Sequence, residues 1–310
     1  MAGDNARITV GVLLGPTASG KSAAAMILAG MLPCDIVSCD SRQIYRFMNI
    51  GTAKPSVADR ARVPHRLIDI RDPSEGYSIS AFVDDALAAI RACAREGRLP
   101  LVVGGTGLYF ESLRRGIGPR VDSDPLIRAS LMRRAALEGS AVLHRELSAR
   151  DPEAARAIHC NDVHRIVRAL AVYLQTGTKI SSLRHEGAPP EDIEFRIAVM
   201  MPPRAVLYDR INNRTDGMLR GGLWEEFLEL RRSGFDESAP GMRGLGYAEL
   251  FPVLRGECSL SAAADRIKMN TRRYAKRQVT WFKAHNGDAC LFAEEYPEAV
   301  AERLAGQYCG

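Results

Sequence analysis

One glycine-rich segment near the start of the chain constrains the fold more than any other feature. Residues 15–22 read Gly-Pro-Thr-Ala-Ser-Gly-Lys-Ser and match the pattern G-x-x-x-x-G-K-S without a gap. An apolar run typical of a buried strand precedes the segment, at residues 8–14, and a helical pattern follows at 21–32. Glycines let a backbone wrap closely around phosphate oxygens, and a helix N-terminus adds positive potential. The motif therefore predicts phosphate binding between a strand and a helix, although it does not identify ATP as the ligand.

The predicted phosphate or diphosphate site consists of the whole loop. Its eight residues are Gly15, Pro16, Thr17, Ala18, Ser19, Gly20, Lys21 and Ser22. The Lys21 ammonium adds a positive charge, and the Ser22 hydroxyl is the predicted ligand of a Mg²⁺ cofactor.

Further apolar runs predict the rest of the core. They lie at residues 35–39, 99–103 and 195–201, and they alternate with helical patterns such as 80–96. Strands that are apolar throughout, separated by helices, indicate a parallel sheet covered on both faces. We predict an α/β fold with a P-loop NTPase-like core formed by residues 1–120 and 195–310. Residues 121–194 show helical patterns and no strand, so we predict an inserted helical domain there.

Two strand ends carry chemical information, because ligands of such sheets bind at the carboxyl ends of the strands. Asp40 follows the second run, which places a carboxylate beside the phosphate loop. This carboxylate could act on a bound substrate; the alternatives are that it caps a helix or orients Mg²⁺. The third run ends in Gly104-Gly105-Thr106-Gly107, where kinases and ATPases often place an acid. The missing acid argues against nucleotide hydrolysis.

Basic residues mark two of the helices predicted after the fourth strand. Arg210 and Arg214 share one face of a predicted long helix, 205–233, and either clamp a diphosphate or lie on a solvated face. The helix predicted at 261–285 carries seven basic residues between positions 266 and 283, interleaved with aromatic ones. Such a helix is typical of nucleic-acid binding, although a protein partner or a plain surface is the alternative. Residues 164–168 form a smaller basic cluster.

Bulk composition excludes several classes of protein. With 46% hydrophobic and 25% charged residues, the chain is typical of a folded globular protein rather than a disordered one. No apolar run approaches the roughly 18 residues of a membrane span. The seven cysteines are scattered without a CxxC pair, which argues against a zinc ribbon or a disulfide framework.

Together these segments resemble the tRNA dimethylallyltransferase (tRNA isopentenyltransferase) family. The resemblance extends from about residue 8 to about residue 285. It rests on GPTASGKS (15–22), DSRQIYR (40–46), NIGTAKP (49–55), PHRLIDIRDPS (64–74), LVVGGTGLYF (101–110), NDVHRIVRALAVYLQTG (161–177), LYDRINNRTDGML (207–219), MRGLGYAE (242–249) and TRRYAKRQVTWF (271–282).

The resemblance implies transfer of a dimethylallyl group from dimethylallyl diphosphate to N6 of adenosine 37 in tRNAs that read codons beginning with U. It casts Asp40 as the general base, and Thr106 and Arg214, with Lys21, as partners of the leaving diphosphate. The implied partners are the anticodon stem-loop of tRNA and dimethylallyl diphosphate, with no membrane, and the implied protein is a cytoplasmic enzyme of bacterial type. We expect it to be a monomer. The insertion would hold the anticodon stem. The implied tRNA-interacting residues are Asp40, Ser41, Arg42, Gln43, Thr106, Arg128, His164, Arg165, Ile166, Val167, Arg168, Arg243, Gly244, Leu245, Gly246, Tyr247, Ala248, Lys276, Arg277, Gln278, Val279, Thr280, Trp281, Phe282 and Lys283.

Three other functions remain open at this point. An adenylate isopentenyltransferase would use the same loop but prenylate free AMP, ADP or ATP. A P-loop small-molecule kinase would keep the loop and transfer a phosphoryl group. A non-catalytic RNA-binding protein could be built on the same scaffold.

Overall fold

The computed structural model describes residues 7–118, 124–183, 187–285, 289–292 and 296–308. Within it the chain divides into two compact units. One comprises Met1–Arg114 and Glu191–Gly310, and the other Arg115–Pro190. The predicted insertion began at residue 121, which lies outside the described residues, and ended at 194. The residues from 191 onwards belong instead with the first unit, because the strand that starts at Ile193 pairs with the first strand of the chain.

A parallel sheet forms the centre of the first unit. Its strands are β1 (Ile8–Leu14), β2 (Cys34–Cys39), β3 (His65–Arg66), β4 (Leu99–Gly104), β5 (Ile193–Met200) and β6 (Cys290–Phe292). They lie in the order β3-β2-β4-β1-β5-β6, and every neighbouring pair is parallel. The predicted α/β class is confirmed. The strands β3 and β6 were not predicted, because two or three residues are too few to show a periodicity.

The helices follow in chain order. They are α1 (Lys21–Met31), α2 (Val57–Arg62), α3 (Ile79–Arg95), α4 (Gly107–Arg115), α5 (Pro125–Glu138), α6 (Ser140–Arg150), α7 (Pro152–Ala157), α8 (Val163–Thr176), α9 (Ile180–Leu183), α10 (Arg204–Arg220), α11 (Leu223–Arg232), α12 (Phe251–Leu254), α13 (Leu260–His285) and α14 (Pro297–Tyr308). Within the described part of the chain, no helix combines the length and the apolar composition that crossing a membrane requires.

The sheet is buried on both faces, as its continuous apolar strands predict. Leu13 and Leu101 pack in one cluster with residues of α1 and α14. Val12 and Val102 are fully buried as well, and the alternation of side chains along a strand points them to the opposite face. The helix α3, which contacts β1, β2 and β4, lies against the sheet there. This arrangement fixes the carboxyl ends of the central strands, where the glycine-rich loop begins.

The predicted long helix at 205–233 is wrong, since the structure has two helices there. α10 ends at Arg220, and α11 begins at Leu223 after Gly221 and Gly222. Gly222 has a φ of 98°, a left-handed conformation that a helix interior does not allow and that glycine adopts most easily. The apolar spacing continues across the break, and this continuity misled the sequence reasoning.

The second unit is a small bundle of helices with its own core. Leu131, Leu143, Leu147, Ile166 and Leu170 are buried together. Its helices start and stop at residue types that favour these positions: Pro125 and Pro152 stand at the first positions of α5 and α7, and Gly177 ends α8.

Candidate active site

The glycine-rich loop connects β1 to α1 in a tightly curved path. A Cβ at Gly15 would lie 2.6 Å from the carbonyl oxygen of Met200, so only glycine fits at this position. Ala18 and Gly20 have left-handed backbones, with φ values of 64° and 97°. Such turns bring successive backbone N–H groups to one concave side, where they can bind an anion. The geometry is therefore suited to the phosphate group that the motif predicts.

Two arginines of α10 face this loop from the side. Arg210 Nη1 donates to the carbonyl oxygen of Ser19 at 3.1 Å, and Arg214 Nη2 donates to Thr17 Oγ1 at 2.6 Å. Asp216, on the same helix, forms an ion pair with Lys268. The structure thus places both guanidinium groups at the loop.

The electrostatics of the loop favour an anionic ligand. Burial lowers the pKa of Lys21 to about 8, with Asp40 opposing this shift and Arg214 adding to it. Burial also lowers the pKa of Arg214, again opposed by Asp40. Two cations that share a single carboxylate and are partly stripped of water gain stability when a negatively charged group binds between them.

Asp40 lies directly after β2 with one carboxylate oxygen engaged and one available. Its Oδ1 accepts hydrogen bonds from the backbone N–H groups of Arg42 at 2.8 Å and Gln43 at 3.3 Å. Its Oδ2 accepts none from the described residues. The turn therefore holds the carboxylate in one orientation, and the second oxygen can accept a proton from a substrate.

The other residues predicted around Asp40 mainly hold this turn in place. The Gln43 amide donates to the carbonyl oxygens of Thr52 and Ala53. Thr106 Oγ1 accepts from the Ser41 N–H at 3.2 Å, and the hydroxyl keeps its own proton for donation. Thr106 itself does not line the cavity described below, although the adjacent Gly105 does.

The glycines at the end of β4 allow close packing of the turn. A Cβ at Gly104 would lie 2.0 Å from the carbonyl oxygen of Cys39. A Cβ at Gly107 would lie 2.3 Å from the ring of Trp281. The turn is therefore pressed against β2 on one side and against α13 on the other.

These groups open into one cavity of about 1160 Å³ within the first unit. Small-molecule sites usually measure about 300–1,000 Å³, so this cavity has room for more than one reactant. The loop and Asp40 form part of its wall, and the remainder includes Thr271, Tyr274 and Gln278 on the inner side of α13.

Sequence reasoning missed Tyr274 as a residue of the site. Burial and the nearby Asp40 raise the pKa of Tyr274 to about 12, and the Arg277 guanidinium lies 5.8 Å from the centre of its ring. Tyr274 and Gln278 follow Thr271 by three and seven residues, a spacing that places all three on one face of a helix. This shared face was the sequence signal that could have identified Tyr274.

The predicted tRNA-interacting segments contain both exposed and buried side chains. In the first unit Arg243, Ala248, Lys276, Arg277, Thr280 and Lys283 are exposed. In the second unit Arg128, His164, Arg165 and Arg168 are exposed. Ser41, Arg42, Leu245, Val279 and Trp281 are half-buried.

Part of this predicted set is buried. Tyr247, Gln278 and Phe282 are buried in the first unit, as are the backbones of Gly244 and Gly246, and Ile166 and Val167 lie in the core of the second. Tyr247, for example, donates a hydrogen bond to Glu226 at 2.6 Å. These side chains hold their segments in place, and only their exposed neighbours are accessible to an external ligand.

No group of three or more His, Cys, Asp or Glu side chains suited to a metal ion occurs among the described residues. The exposed Ser22 and the half-buried Asp40 both line the cavity. Such a sparse donor set fits Mg²⁺, which keeps several water ligands and is commonly bound through substrate phosphates.

Comparisons with known proteins point to one family. The family model described as IPP transferase matches residues 43–285. The tRNA dimethylallyltransferase of Halorhodospira halophila is 45% identical over 290 residues, which cover 93% of this chain and 94% of that protein. The enzyme of the same name from Pelotomaculum thermopropionicum is 40% identical over 308 residues, with 98% of both proteins covered.

Solved structures give the same result. The full-length tRNA isopentenylpyrophosphate transferase from Bacillus halodurans superposes with a TM-score of 0.70 at 35% identity, with 97% of both chains covered. A eukaryotic dimethylallyltransferase acting on tRNA superposes with a TM-score of 0.75 at 29% identity, over 91% of this chain and 73% of that one. The resemblance seen in the sequence is confirmed, and this chain belongs to the IPP transferase family.

Proposed function

We propose that this protein transfers the dimethylallyl group of dimethylallyl diphosphate to N6 of adenosine 37 in tRNAs that read codons beginning with U. One observation supports it most directly: the free oxygen of Asp40 and the cations Lys21 and Arg214 belong to the same cavity. A proton acceptor next to an anion site suits the attack of an amine on a carbon that bears a diphosphate. The relatives named above are called tRNA dimethylallyltransferases, which agrees with this reaction.

In the proposed reaction, some residues of the cavity act on the diphosphate and others on the amine. The adenine N6 amine forms a bond to the allylic carbon while the bond from that carbon to the diphosphate oxygen breaks. Negative charge grows on the leaving diphosphate, where Lys21, Arg214 and the loop N–H groups stabilise it. Asp40 orients the amine and accepts its proton, a form of catalysis typically worth about 10²–10⁴-fold. Ser22 would hold Mg²⁺, which when bound supplies further positive charge at the diphosphate.

The acceptor is proposed to be RNA because α13 presents a basic outer face. Arg273, Lys276, Arg277 and Lys283 are exposed on this helix. An adenine must leave its stack to enter a cavity of this kind, and an anticodon loop is already partly open. We also assign the exposed basic residues of the second unit to the anticodon stem. The predicted cytoplasmic location follows from this substrate, whereas the monomeric state stays a prediction.

A labelling experiment tests this function. Purified protein, Mg²⁺ and radiolabelled dimethylallyl diphosphate are incubated with unmodified tRNA that has an adenosine 3′ of its anticodon, or with free AMP. We expect label in the tRNA and none in AMP. Label in AMP alone would identify an adenylate isopentenyltransferase instead, and label in neither acceptor would contradict prenyl transfer.

A further inference from the structure

Gln278 connects α13 to the glycine-rich loop and to the turn that follows β4. Its side chain is 8% exposed. Its Oε1 accepts a hydrogen bond from the backbone N–H of Thr17 at 2.9 Å, and its Nε2 donates to the carbonyl oxygen of Gly105 at 2.8 Å. One amide therefore bridges the glycine-rich loop and the turn after β4.

The surroundings leave little freedom for this bridge. A Cβ at Gly105 would lie 2.7 Å from Gln278 Nε2 and 3.6 Å from Lys21 Nζ, so the amide packs against the glycine beside the lysine. Thr17 is held from both sides, because Arg214 donates to its hydroxyl while Gln278 accepts from its N–H. The first half of the loop is thus held in place without any ligand.

We propose that Gln278 is a positioning residue for the diphosphate loop and that its side chain does not contact RNA. This role rests on the proposed function. A neutral amide both accepts and donates, and the bridge needs both abilities at once. A carboxylate offers no donor, and an ammonium offers no acceptor. The two faces of α13 then have separate tasks: Gln278 faces the diphosphate site, and the exposed Lys276 faces the solvent.

The expected benefit is a loop that is ordered before its ligand arrives. A preorganised set of donors binds a diphosphate without first losing conformational entropy. Without the amide, the Thr17 N–H and the Gly105 carbonyl would lack their partners, and the loop would relax towards other arrangements. Diphosphate binding would then have to restore the productive one.

The test compares three variants of the full-length protein. Gln278→Met keeps the length of the side chain but removes both hydrogen bonds. Gln278→Glu keeps the acceptor, removes the donor and places a negative charge beside Lys21. Lys276→Gln, on the exposed face, is the matched control. The measurements are the dissociation constant of inorganic diphosphate with Mg²⁺, the KM of dimethylallyl diphosphate, kcat, and the dissociation constant of tRNA.

We expect Gln278→Met to raise the dissociation constant of inorganic diphosphate and the KM of dimethylallyl diphosphate about tenfold, the effect of two hydrogen bonds. Gln278→Glu should raise both further, because its carboxylate competes with the diphosphate for Lys21. Affinity for tRNA should stay within about twofold of the wild type in both variants. Lys276→Gln should show the opposite pattern, with weaker tRNA binding and an unchanged diphosphate constant.

Two results would overturn this role. Weaker tRNA binding with an unchanged diphosphate constant would make Gln278 an RNA contact. Equal losses for both ligands in Gln278→Met and Gln278→Glu would reduce it to a general structural residue. Binding of inorganic diphosphate needs no turnover, so the role can be judged even if the wild type fails to prenylate tRNA, a failure that would count against the proposed function alone.

Discussion

Asp40 and Lys21 show how neighbouring groups determine the chemistry of single residues in this protein. Asp40 is held by two backbone N–H groups and keeps one oxygen free. Lys21 donates to the carbonyl oxygen of Pro16 at 3.2 Å and loses part of its basicity through burial. One residue is therefore arranged to accept a proton, and the other to attract an anion.

Replacing Asp40 by asparagine should separate its role in holding the turn from its role as a proton acceptor. The amide oxygen of Asp40→Asn can still accept from the N–H groups of Arg42 and Gln43, so the turn survives, whereas the proton acceptor is lost. We expect kcat to fall about 10²–10⁴-fold while tRNA affinity stays unchanged. Single-turnover rates and filter binding measure the two quantities. A loss of affinity as large as the loss of rate would argue against the general-base role.

The activity should fall in alkaline solution because of Lys21. In the free protein its pKa lies at about 8, so the ammonium loses its charge as the pH rises through that value. We expect kcat/KM for dimethylallyl diphosphate to fall towards about tenfold per pH unit above it. Lys21→Arg should abolish this alkaline decrease, because a guanidinium stays charged. An identical decrease in Lys21→Arg would assign the titration to another group or to the substrate.

At the scale of elements, α13 combines a buried face with a basic one. Ile267, Thr271, Gln278 and Phe282 are buried on the inner side. The exposed side carries Lys276 and Arg277, which form no ion pair among the described residues. Solvated cations of this kind can release counterions when they meet phosphates.

Removing two of these cations should weaken the binding of every tRNA and reduce its dependence on salt. For Lys276→Gln combined with Arg277→Gln, we expect the slope of log K against log salt to become shallower by about 1.5–2. Titrations at several salt concentrations measure this slope. Arg95→Gln, which removes an exposed arginine of α3, is the control and should leave the slope unchanged. A double variant that keeps the wild-type slope would contradict phosphate contact by these two residues.

At the scale of the whole molecule, an ion cluster at the other end of the sheet ties several elements together. Asp35 in β2 has a fully buried side chain that accepts from Arg66 in β3, at 2.8 and 3.0 Å, and from Arg98 just before β4. Burial alone would raise the pKa of Asp35, but the hydrogen bonds from the two arginines outweigh it and hold the pKa below its usual value. Three neighbouring strands therefore depend on one carboxylate.

Losing this carboxylate should destabilise the protein strongly. We expect Asp35→Asn to lower the free energy of unfolding by about 3–5 kcal/mol at pH 7, because two arginines lose their partner. A carboxylate with a lowered folded-state pKa stabilises the fold above its unfolded pKa of about 3.9, and this stabilisation is lost as the pH falls through the folded-state pKa. The difference in the free energy of unfolding between Asp35→Asn and the wild type should therefore become smaller in acid. Urea unfolding at two pH values measures it. Asp192→Asn, which breaks an exposed pair with Arg91, should cost at most about 1 kcal/mol. Similar losses in the two variants would contradict a special role for Asp35.

Local sequence patterns were sufficient for the glycine-rich loop, the longer strands and the caps of the helical unit. These features depend on residues close together in the chain: a seven-residue strand that is mostly apolar, a glycine that ends a helix, a proline that starts one. Motifs far apart in the chain identified the family, because each has a distinctive composition and they follow one another in a fixed order.

Tertiary structure decided the features that depend on residues distant in the chain. The short strands β3 and β6 exist only because each pairs with a longer neighbouring strand. Gln278 carries the same amide wherever it stands, and only the fold brings it to Thr17, 261 positions away. Periodicity can indicate that a helical face is buried, but it cannot say what that face touches, because the partner is set by how the whole chain packs.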